Sequence, residues 1–237
     1  SEPFYYVYGG TQDNNTQGGP SRTNNVHGIR NSDWFITVGG DGFGPAVDPE
    51  NPDIVYSQWQ YGGLIRFDRR TGEQVDIKPR ESAEGPPLRW NWDSALLISP
   101  HSASRLYFAA QILFRSDDRG DTWRAVSPDL TRNEDDKQGK GSGPYTNENI
   151  EQYNTIFALE ESPHDGYTLW VGTDDGLVHV TRDGGDTWTD VTPRGAGRGR
   201  SGAGDRVARR AAVVGERRRR DRGARRRHRP GERGTDF

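Results

Sequence analysis

The stretch Ser116–Trp123, SDDRGDTW, returns 65 residues later as Thr181–Trp188, TRDGGDTW. Both copies fit the pattern S/T-x-D-x-G-x-T-W, and a shared pattern of this length indicates a structural repeat. Its fixed members are Ser116, Asp118, Gly120, Thr122 and Trp123 in the first copy and Thr181, Asp183, Gly185, Thr187 and Trp188 in the second.

The surroundings of each copy predict a hairpin turn between two strands. Apolar segments precede the copies at Ile112–Arg115 and Leu177–Val180, and further strand-like segments follow at Trp123–Val126 and Trp188–Val191. Asp and Ser/Thr side chains hydrogen-bond to the backbone of their own turn, and Gly supplies a positive φ. The Trp is expected to pack against the sheet. We therefore predict that the repeated turn is structural and not catalytic.

A second pattern fixes the length of the repeat. A Pro is followed seven residues later by an aromatic residue at Pro49/Tyr56, Pro100/Tyr107 and Pro163/Trp170. A strand is predicted before each Pro, at Phe43–Val47, Ser94–Ile98 and Thr155–Glu160. The turn of the first unit, Asp68–Gly72, is a degenerate copy of the repeated turn. Each unit therefore has four short strands in up-and-down order, which is one β-propeller blade.

The N-terminus adds an incomplete unit. Tyr8–Asn14, YGGTQDN, aligns with Trp170–Gly176, WVGTDDG. This alignment makes Phe4–Tyr8 a second strand without its inner neighbour, and Trp34–Val38 the last strand of the same blade. The fold class predicted is all-β, a partial β-propeller of about three and a half four-stranded antiparallel blades, where closed propellers have 4–8.

These motifs resemble the Asp-box (BNR) turns of β-propellers, which occur in sialidases, xyloglucanase-type glycoside hydrolases and sortilin/VPS10-type receptors. The phrases Tyr8–Asn14, Asn31–Phe35 and Gly39–Phe43 resemble large bacterial proteins of the sortilin-N-like class, often labelled glycosyl hydrolases. The resemblance covers about Phe4–Pro193. It implies a polysaccharide or peptide ligand, further blades of a longer protein as partners, and an extracellular or periplasmic location.

Charge divides the chain into two parts. The formal net charge is −3, but residues 1–193 carry 16 Lys/Arg against 30 Asp/Glu, and residues 194–237 carry 16 Arg against 5 Asp/Glu. We predict a propeller fragment over 1–193 and a disordered Arg/Gly/Ala-rich tail over 194–237. The tail is interpreted as an out-of-frame translation, with a basic nucleic-acid-binding arm and a genuine solvated tail as the alternatives.

Composition limits the chemistry. The chain has no Cys, so thiolate catalysis and disulfides are excluded, and no Met, which suggests a fragment or a processed form. No apolar run reaches the roughly 18 residues of a membrane span. No dinucleotide fingerprint, phosphate-binding loop or metal-ligand spacing is present. We expect no cofactor, no metal, no nucleic-acid partner and no membrane segment in this chain.

Blade geometry predicts where a ligand would bind. Connections from strand two to strand three, and from one blade to the next, emerge on one end of a propeller, here named the loop-rich face. Aromatic, amide and charged side chains cluster in these connections, and such side chains offer the stacking and directed hydrogen bonds that sugars or peptides need. The predicted ligand-binding residues are Gln12, Asp13, Asn14, Trp59, Tyr61, Arg89, Trp90, Trp92 and Asp174.

Two functions are compatible with this face. The first is a ligand-binding, sortilin-like propeller that holds a peptide or a glycan. The alternative is a xyloglucanase-like glycoside hydrolase, which requires two carboxyl groups flanking the scissile bond. Asp93 and Asp41 are the predicted catalytic pair, with Asp93 expected to have a raised pKa beside Trp90 and Trp92. The competing interpretation is that these Asp residues cap loops.

Overall fold

A computed structural model describes residues 5–81, 85–138 and 152–193 of the protein. The predicted tail, 194–237, lies outside these residues. Within them the chain forms fifteen strands and a single 3-10 turn at Asn31–Asp33, with no α-helix. The first eight strands are β1 (Tyr6–Gly10), β2 (Thr16–Pro20), β3 (Phe35–Val38), β4 (Ala46–Val47), β5 (Ile54–Trp59), β6 (Gly63–Asp68), β7 (Gln74–Asp76) and β8 (Leu96–Ile98). The remaining seven are β9 (Leu106–Ala109), β10 (Leu113–Ser116), β11 (Arg124–Ala125), β12 (Ile156–Glu161), β13 (Leu169–Thr173), β14 (Val178–Thr181) and β15 (Thr189–Asp190).

The strands form four separate antiparallel sheets, each in up-and-down order. The second, third and fourth sheets contain four strands each, β4–β7, β8–β11 and β12–β15. The first sheet contains only β1–β3, so its inner strand is missing from the described residues. The prediction of a partial β-propeller of about three and a half blades is therefore confirmed.

Several strand limits differ from the sequence-based prediction. The predicted strand Phe4–Tyr8 is β1, Tyr6–Gly10, and the predicted strand Trp123–Val126 shortens to β11, Arg124–Ala125. Trp123 thus closes the turn instead of opening the strand. The indole of Trp123 reaches the neighbouring blade, which the pattern of one blade cannot specify.

The hydrophobic core lies in the joints between successive blades. All four residues of β9 are fully buried, because a central strand has a blade on each side. Leu106 packs toward the second blade with Tyr56, and Tyr107 packs toward the fourth blade with Leu169. Period-two alternation therefore sends successive side chains of one strand to two different joints. Packing of blade against blade is what holds this fold together.

A side-chain donor spans each of the three joints. Trp123 Nε1 donates to the Ile77 carbonyl at 2.7 Å, and Trp188 Nε1 donates to the Val126 carbonyl at 2.9 Å. In the second blade Gln74 occupies the same place in the hairpin, and its Nε2 donates to the Thr37 carbonyl at 2.8 Å. The degenerate turn has therefore lost its Trp but kept the hydrogen bond to the preceding blade.

The two repeated turns have the same internal hydrogen bonds. Ser116 Oγ donates to Asp118 Oδ1 at 2.7 Å and accepts the Gly120 N–H at 2.8 Å. Asp118 Oδ1 also accepts the Thr122 N–H at 2.9 Å. The second copy repeats each of these bonds through its own members, from Thr181 to Thr187. The first Ser or Thr and the Asp of the pattern thus accept backbone N–H groups of their own turn.

Contacts between loops show which loops lie at the same end of the molecule. On one end, here named the turn face, Arg119 of a repeated turn reaches Asp48 in the connection between β4 and β5. On the loop-rich face, Arg89 between two blades donates through Nε to the Asn154 carbonyl at 3.1 Å. The loops predicted to share a face therefore touch one another.

Candidate functional site

Loops from all four sheets touch in sequence across the loop-rich face. Asp13 of the first sheet contacts Asp41, and Asp41 N–H donates to Gln60 Oε1 at 3.3 Å. Beyond this point Tyr61 packs on Trp92. The contacts then continue from Asn91 Nδ2 to Thr155 Oγ1 at 2.9 Å and from Thr155 to Asp174. These contacts form one continuous band of polar and aromatic side chains.

Asp41 holds the first loop of this band. Its Oδ1 accepts the Asp13 N–H at 2.7 Å, and its side chain is only 5% exposed. Asp13 itself has a positive φ of 61°, so the carboxylate fixes a left-handed turn. Of the residues predicted to bind ligand, Gln12, Asp13 and Asn14 are exposed at the tip of this loop. Asp41 thus caps this loop through its Oδ1.

The aromatic residues of the face differ in burial, from the buried Trp90 to the exposed Tyr61. Trp90 is 5% exposed and stacks on Phe108 at 5.0 Å between ring centroids. Trp59 packs against the core between the first and second blades. These two predicted ligand-binding residues therefore contribute packing, Trp90 as a buried residue and Trp59 as a half-buried one.

Tyr61, which is exposed, and Trp92, which is half-buried, form an aromatic pair. Their ring centroids are 5.0 Å apart at an interplanar angle of 82°, an edge-to-face arrangement. Tyr61 is 39% exposed and has a positive φ of 59°, and Lys78 Nζ donates to its carbonyl at 2.9 Å. The pair comes from two different loops, so its orientation is fixed by tertiary contacts on both sides.

Asp93 follows Trp92 directly. Its side chain is exposed, and desolvation by the surrounding loops raises the pKa of its carboxyl group. Its N–H donates to Asn91 Oδ1 at 3.1 Å. An accessible carboxyl group with a raised pKa next to an aromatic pair has the properties of a proton donor or of a hydrogen-bonding group for a polar ligand.

Asp174 lies further along the band and is more enclosed. Burial raises its pKa to about 6, although hydrogen bonds from the Thr155 N–H (3.0 Å) and Thr155 Oγ1 (2.8 Å) act in the opposite direction. The adjacent Asp175 accepts the Arg132 N–H and Asn154 Nδ2, both at 2.7 Å. Both carboxyl groups therefore organise the loop before β12.

Arg89 joins the third and fourth blades on this face. Its N–H donates to Gln111 Oε1 at 2.7 Å, and its NH2 group donates to Asp129 Oδ2 at 2.6 Å. The same group lies 3.1 Å from Thr131 Oγ1. These hydrogen bonds connect separate loops, so the guanidinium of Arg89 acts as a clamp between them.

Thr155 and Arg132 were not singled out by sequence reasoning. Thr155 lies at the start of a predicted strand, and nothing in its local pattern indicates the contacts with Asn91 and Asp174 that centre on it. Arg132 lies in a polar loop, and its Nε donates to the Asp175 carbonyl at 3.1 Å. Only the approach of separate blades brings these groups together.

Two classes of site are not observed. Among residues 5–81, 85–138 and 152–193, no three His, Cys, Asp or Glu side chains come together as ligands for a metal ion. In the same parts of the chain, no helix has the length and apolarity to cross a bilayer.

Comparisons with known proteins show similarity in fold only. No protein-family model matches the sequence, and no curated protein matches it. A GH74 enzyme from Niastella koreensis is similar in structure, with 15% identity and a TM-score of 0.50 over 79% of this chain and 27% of that one. An ancestral GH74 enzyme also has 15% identity and a TM-score of 0.50, over 80% and 22%.

The GH74 xyloglucanase from Xanthomonas campestris has 20% identity and a TM-score of 0.45, covering 81% of this chain and 23% of that one. The protein thus spans about a quarter of the length of each of these structures. The two structures with a TM-score of 0.50 agree with the all-β propeller architecture of the described residues.

Proposed function

We propose that the protein binds a polysaccharide on its loop-rich face, with Tyr61 and Trp92 as the stacking surface. The observation that supports this proposal is their edge-to-face packing at 5.0 Å, with the exposed residue Asp93 directly following Trp92 in the same loop. An aromatic ring offers an apolar face to the C–H groups of a sugar, and a carboxylate accepts hydrogen bonds from its hydroxyl groups. The resemblance to Asp-box propellers adds xyloglucan and related β-glucans as the first ligands to test.

Affinity electrophoresis tests this proposal directly. The protein is expected to be retarded in gels that contain xyloglucan or β-glucan. Trp92→Ala and Tyr61→Ala should each weaken the affinity by about tenfold, because each removes one ring of the platform. Tyr167→Ala is the matched control, since Tyr167 is an aromatic residue, 66% exposed, in a loop of the turn face. Absence of retardation, or equal retardation of Trp92→Ala and wild type, would reject polysaccharide binding and favour a peptide ligand.

Glycoside hydrolysis is the second candidate function. The raised pKa of the Asp93 carboxyl group favours it, because a general acid must hold a proton before it can donate one to the leaving group. The sequence predicts Asp41 as the second carboxylate. Asp41 Oδ1 already accepts the Asp13 N–H. Catalysis would therefore require Asp41 to lose this hydrogen bond and to accept one from the substrate or from water.

Release of reducing sugar from the same polysaccharides distinguishes the two functions. If the protein is a hydrolase, Asp93→Asn should abolish release while the retardation in gels remains. Asp186→Asn, an exposed carboxylate in a repeated turn, is the control and should release sugar at the wild-type rate. Retardation without any release of sugar by the wild-type protein would reject hydrolysis and leave the binding function.

A further inference from the structure

The turn that carries Tyr61 has a backbone conformation that is unfavourable for an aromatic residue. Tyr61 and Gly62 are consecutive left-handed residues, with φ of 59° and 71°, in the turn between β5 and β6. Turns with two left-handed central residues favour Asn and Gly, because a residue with a bulky side chain is strained there. Such strain persists only where the surrounding structure holds the backbone in place. The conformation of Tyr61 therefore depends on groups outside its own hairpin.

The first of these groups is the indole of Trp90, in the connection from β7 to β8. A Cβ added to Gly62 would lie 2.4 Å from Trp90 Cδ2, so the backbone of the turn rests directly on the ring. The ring is held from the third blade, since it stacks on Phe108 and Phe114 with 5.0 and 6.1 Å between centroids. The buried Trp90 thus forms a floor beneath the turn.

The second group is Lys78, which follows β7 by two residues. Its Nζ donates to the Tyr61 carbonyl at 2.9 Å and lies 5.1 Å from the centroid of the Trp90 ring, a cation–π contact. Lys78 is half-buried, and desolvation lowers the pKa of its ammonium group although Glu81 and Asp76 act in the opposite direction. The ammonium group therefore exchanges part of its hydration for the carbonyl and the ring.

These supports converge on the aromatic pair of the loop-rich face. The connection from β7 to β8 supplies Lys78, Trp90 and also Trp92, whose ring meets that of Tyr61 edge to face. Lys78 and Trp90 both act on the backbone of the turn. They therefore determine where the Tyr61 ring projects relative to Trp92.

We propose that Lys78 is a positioning residue of the polysaccharide site, holding the strained Tyr61 turn on Trp90 so that the Tyr61 ring is fixed against Trp92 before a sugar arrives. This inference rests on the proposed binding of a polysaccharide. A platform fixed in advance loses less conformational freedom when the ligand binds, and its affinity is correspondingly higher.

Affinity electrophoresis in xyloglucan, arranged as a double-mutant cycle, tests the role of Lys78. Lys78→Met keeps most of the apolar stem but removes the charge and the donor, and it should weaken the affinity by about fivefold. Lys78→Arg can donate to the same carbonyl and stack on the same ring, so it should restore most of the affinity. In a Tyr61→Ala background, Lys78→Met should have no further effect, because Lys78 acts through Tyr61.

Lys137→Met is the matched control. Lys137 Nζ also has a hydrogen bond and a cation–π contact, to Glu134 Oε2 at 2.7 Å and over the Tyr153 ring at 5.6 Å from its centroid. These contacts lie in the connection from β11 to β12. Lys137→Met should therefore bind xyloglucan as the wild type does.

Near-ultraviolet circular dichroism without ligand separates this inference from the proposed function. Aromatic rings in a fixed tertiary arrangement produce a near-ultraviolet signal, and Tyr61→Ala should remove the part that comes from the Tyr61–Trp92 pair. Lys78→Met should remove the same part, whereas Lys137→Met should leave the spectrum unchanged. Far-ultraviolet spectra of the variants check that each remains folded.

Two results would overturn the positioning role. One is a Lys78→Met variant with the affinity and the near-ultraviolet spectrum of the wild type. The other is a loss of affinity from Lys78→Met that persists undiminished in the Tyr61→Ala background, which would make Lys78 a direct ligand contact. If the wild type binds no glucan, the proposed function is rejected, and the spectrum of Lys78→Met still decides whether Lys78 orients Tyr61.

Discussion

Arg119 of the third blade forms an ion pair with Asp48 of the second, with 2.7 Å between Nε and Oδ2. The Asp48 side chain is completely buried and also accepts the N–H groups of Glu50 and Asn51 at 2.9 and 3.0 Å. Arg119 reaches it from a left-handed position with a φ of 62°. One carboxylate thus ties together its own turn and the adjacent blade.

Removal of this ion pair should destabilise the fold. Arg119→Ala leaves the Asp48 carboxylate buried with only the N–H groups of its own turn, and we expect the free energy of unfolding to fall by about 2 kcal/mol. The side chain of Arg119 is 36% exposed, so the loss should be smaller than for a fully buried pair. Urea unfolding measures it. Arg124→Ala, at an exposed arginine of β11, should cost far less, and equal losses would contradict the assignment.

The indole hydrogen bond across a joint should contribute measurably to stability. Trp123→Phe removes the donor to the Ile77 carbonyl and should lower the free energy of unfolding by about 1 kcal/mol. Trp123→Ala also removes the ring and should cost about 3 kcal/mol. The control is Trp34→Phe, because the indole N–H of Trp34 has no acceptor within the described residues. If Trp34→Phe and Trp123→Phe lower the free energy of unfolding equally, the hydrogen bond across the joint makes no contribution.

Three left-handed glycines in the turns should differ in their tolerance of a methyl group. A Cβ on Gly185 would lie 2.3 Å from the Val126 carbonyl oxygen, and one on Gly120 would lie 2.6 Å from Ile77 Cδ1. A Cβ on Gly72 would meet nothing within 4 Å. Replacement by Ala should therefore cost most at Gly185, less at Gly120, where a side chain can move, and about 1 kcal/mol of backbone strain at Gly72. Thermal melts of the three variants test this order of stability losses. Any other order would show that the residues around the turns move to accommodate the added methyl group.

The buried Asp174 should make stability depend on pH. Its folded pKa of about 6 lies above its unfolded value, so the folded state holds the proton more tightly. The stability from this group is present below about pH 4 and is lost as the pH rises to about 6, by about 2 kcal/mol. Asp174→Asn should remove this slope in denaturant titrations between those pH values. A slope that persists in Asp174→Asn would assign it to another group.

The positions of the site residues illustrate how far sequence reasoning reaches. Trp90 and Trp92 are two residues apart in one loop and were both predicted to bind ligand, but Trp90 stacks on Phe108 while Trp92 meets Tyr61 near solvent. Their sequence context does not separate them, because the third-blade strand that covers Trp90 is distant in the chain. Likewise, the contact that buries Asp41 depends on the loop of Asp13, 28 residues earlier.

The sequence by itself determined the four-stranded units, their order and their turns. The hydrogen bonds of a repeated turn close within eight residues, and the alternation of a strand repeats every two, so both are written into short stretches of chain. Tertiary structure alone decided what crosses the joints. Gln74 takes the place of the turn Trp at one joint, and Arg119 binds the carboxylate of Asp48, 71 residues away. Both contacts depend on side chains that are far apart in sequence, because they form only where two blades meet.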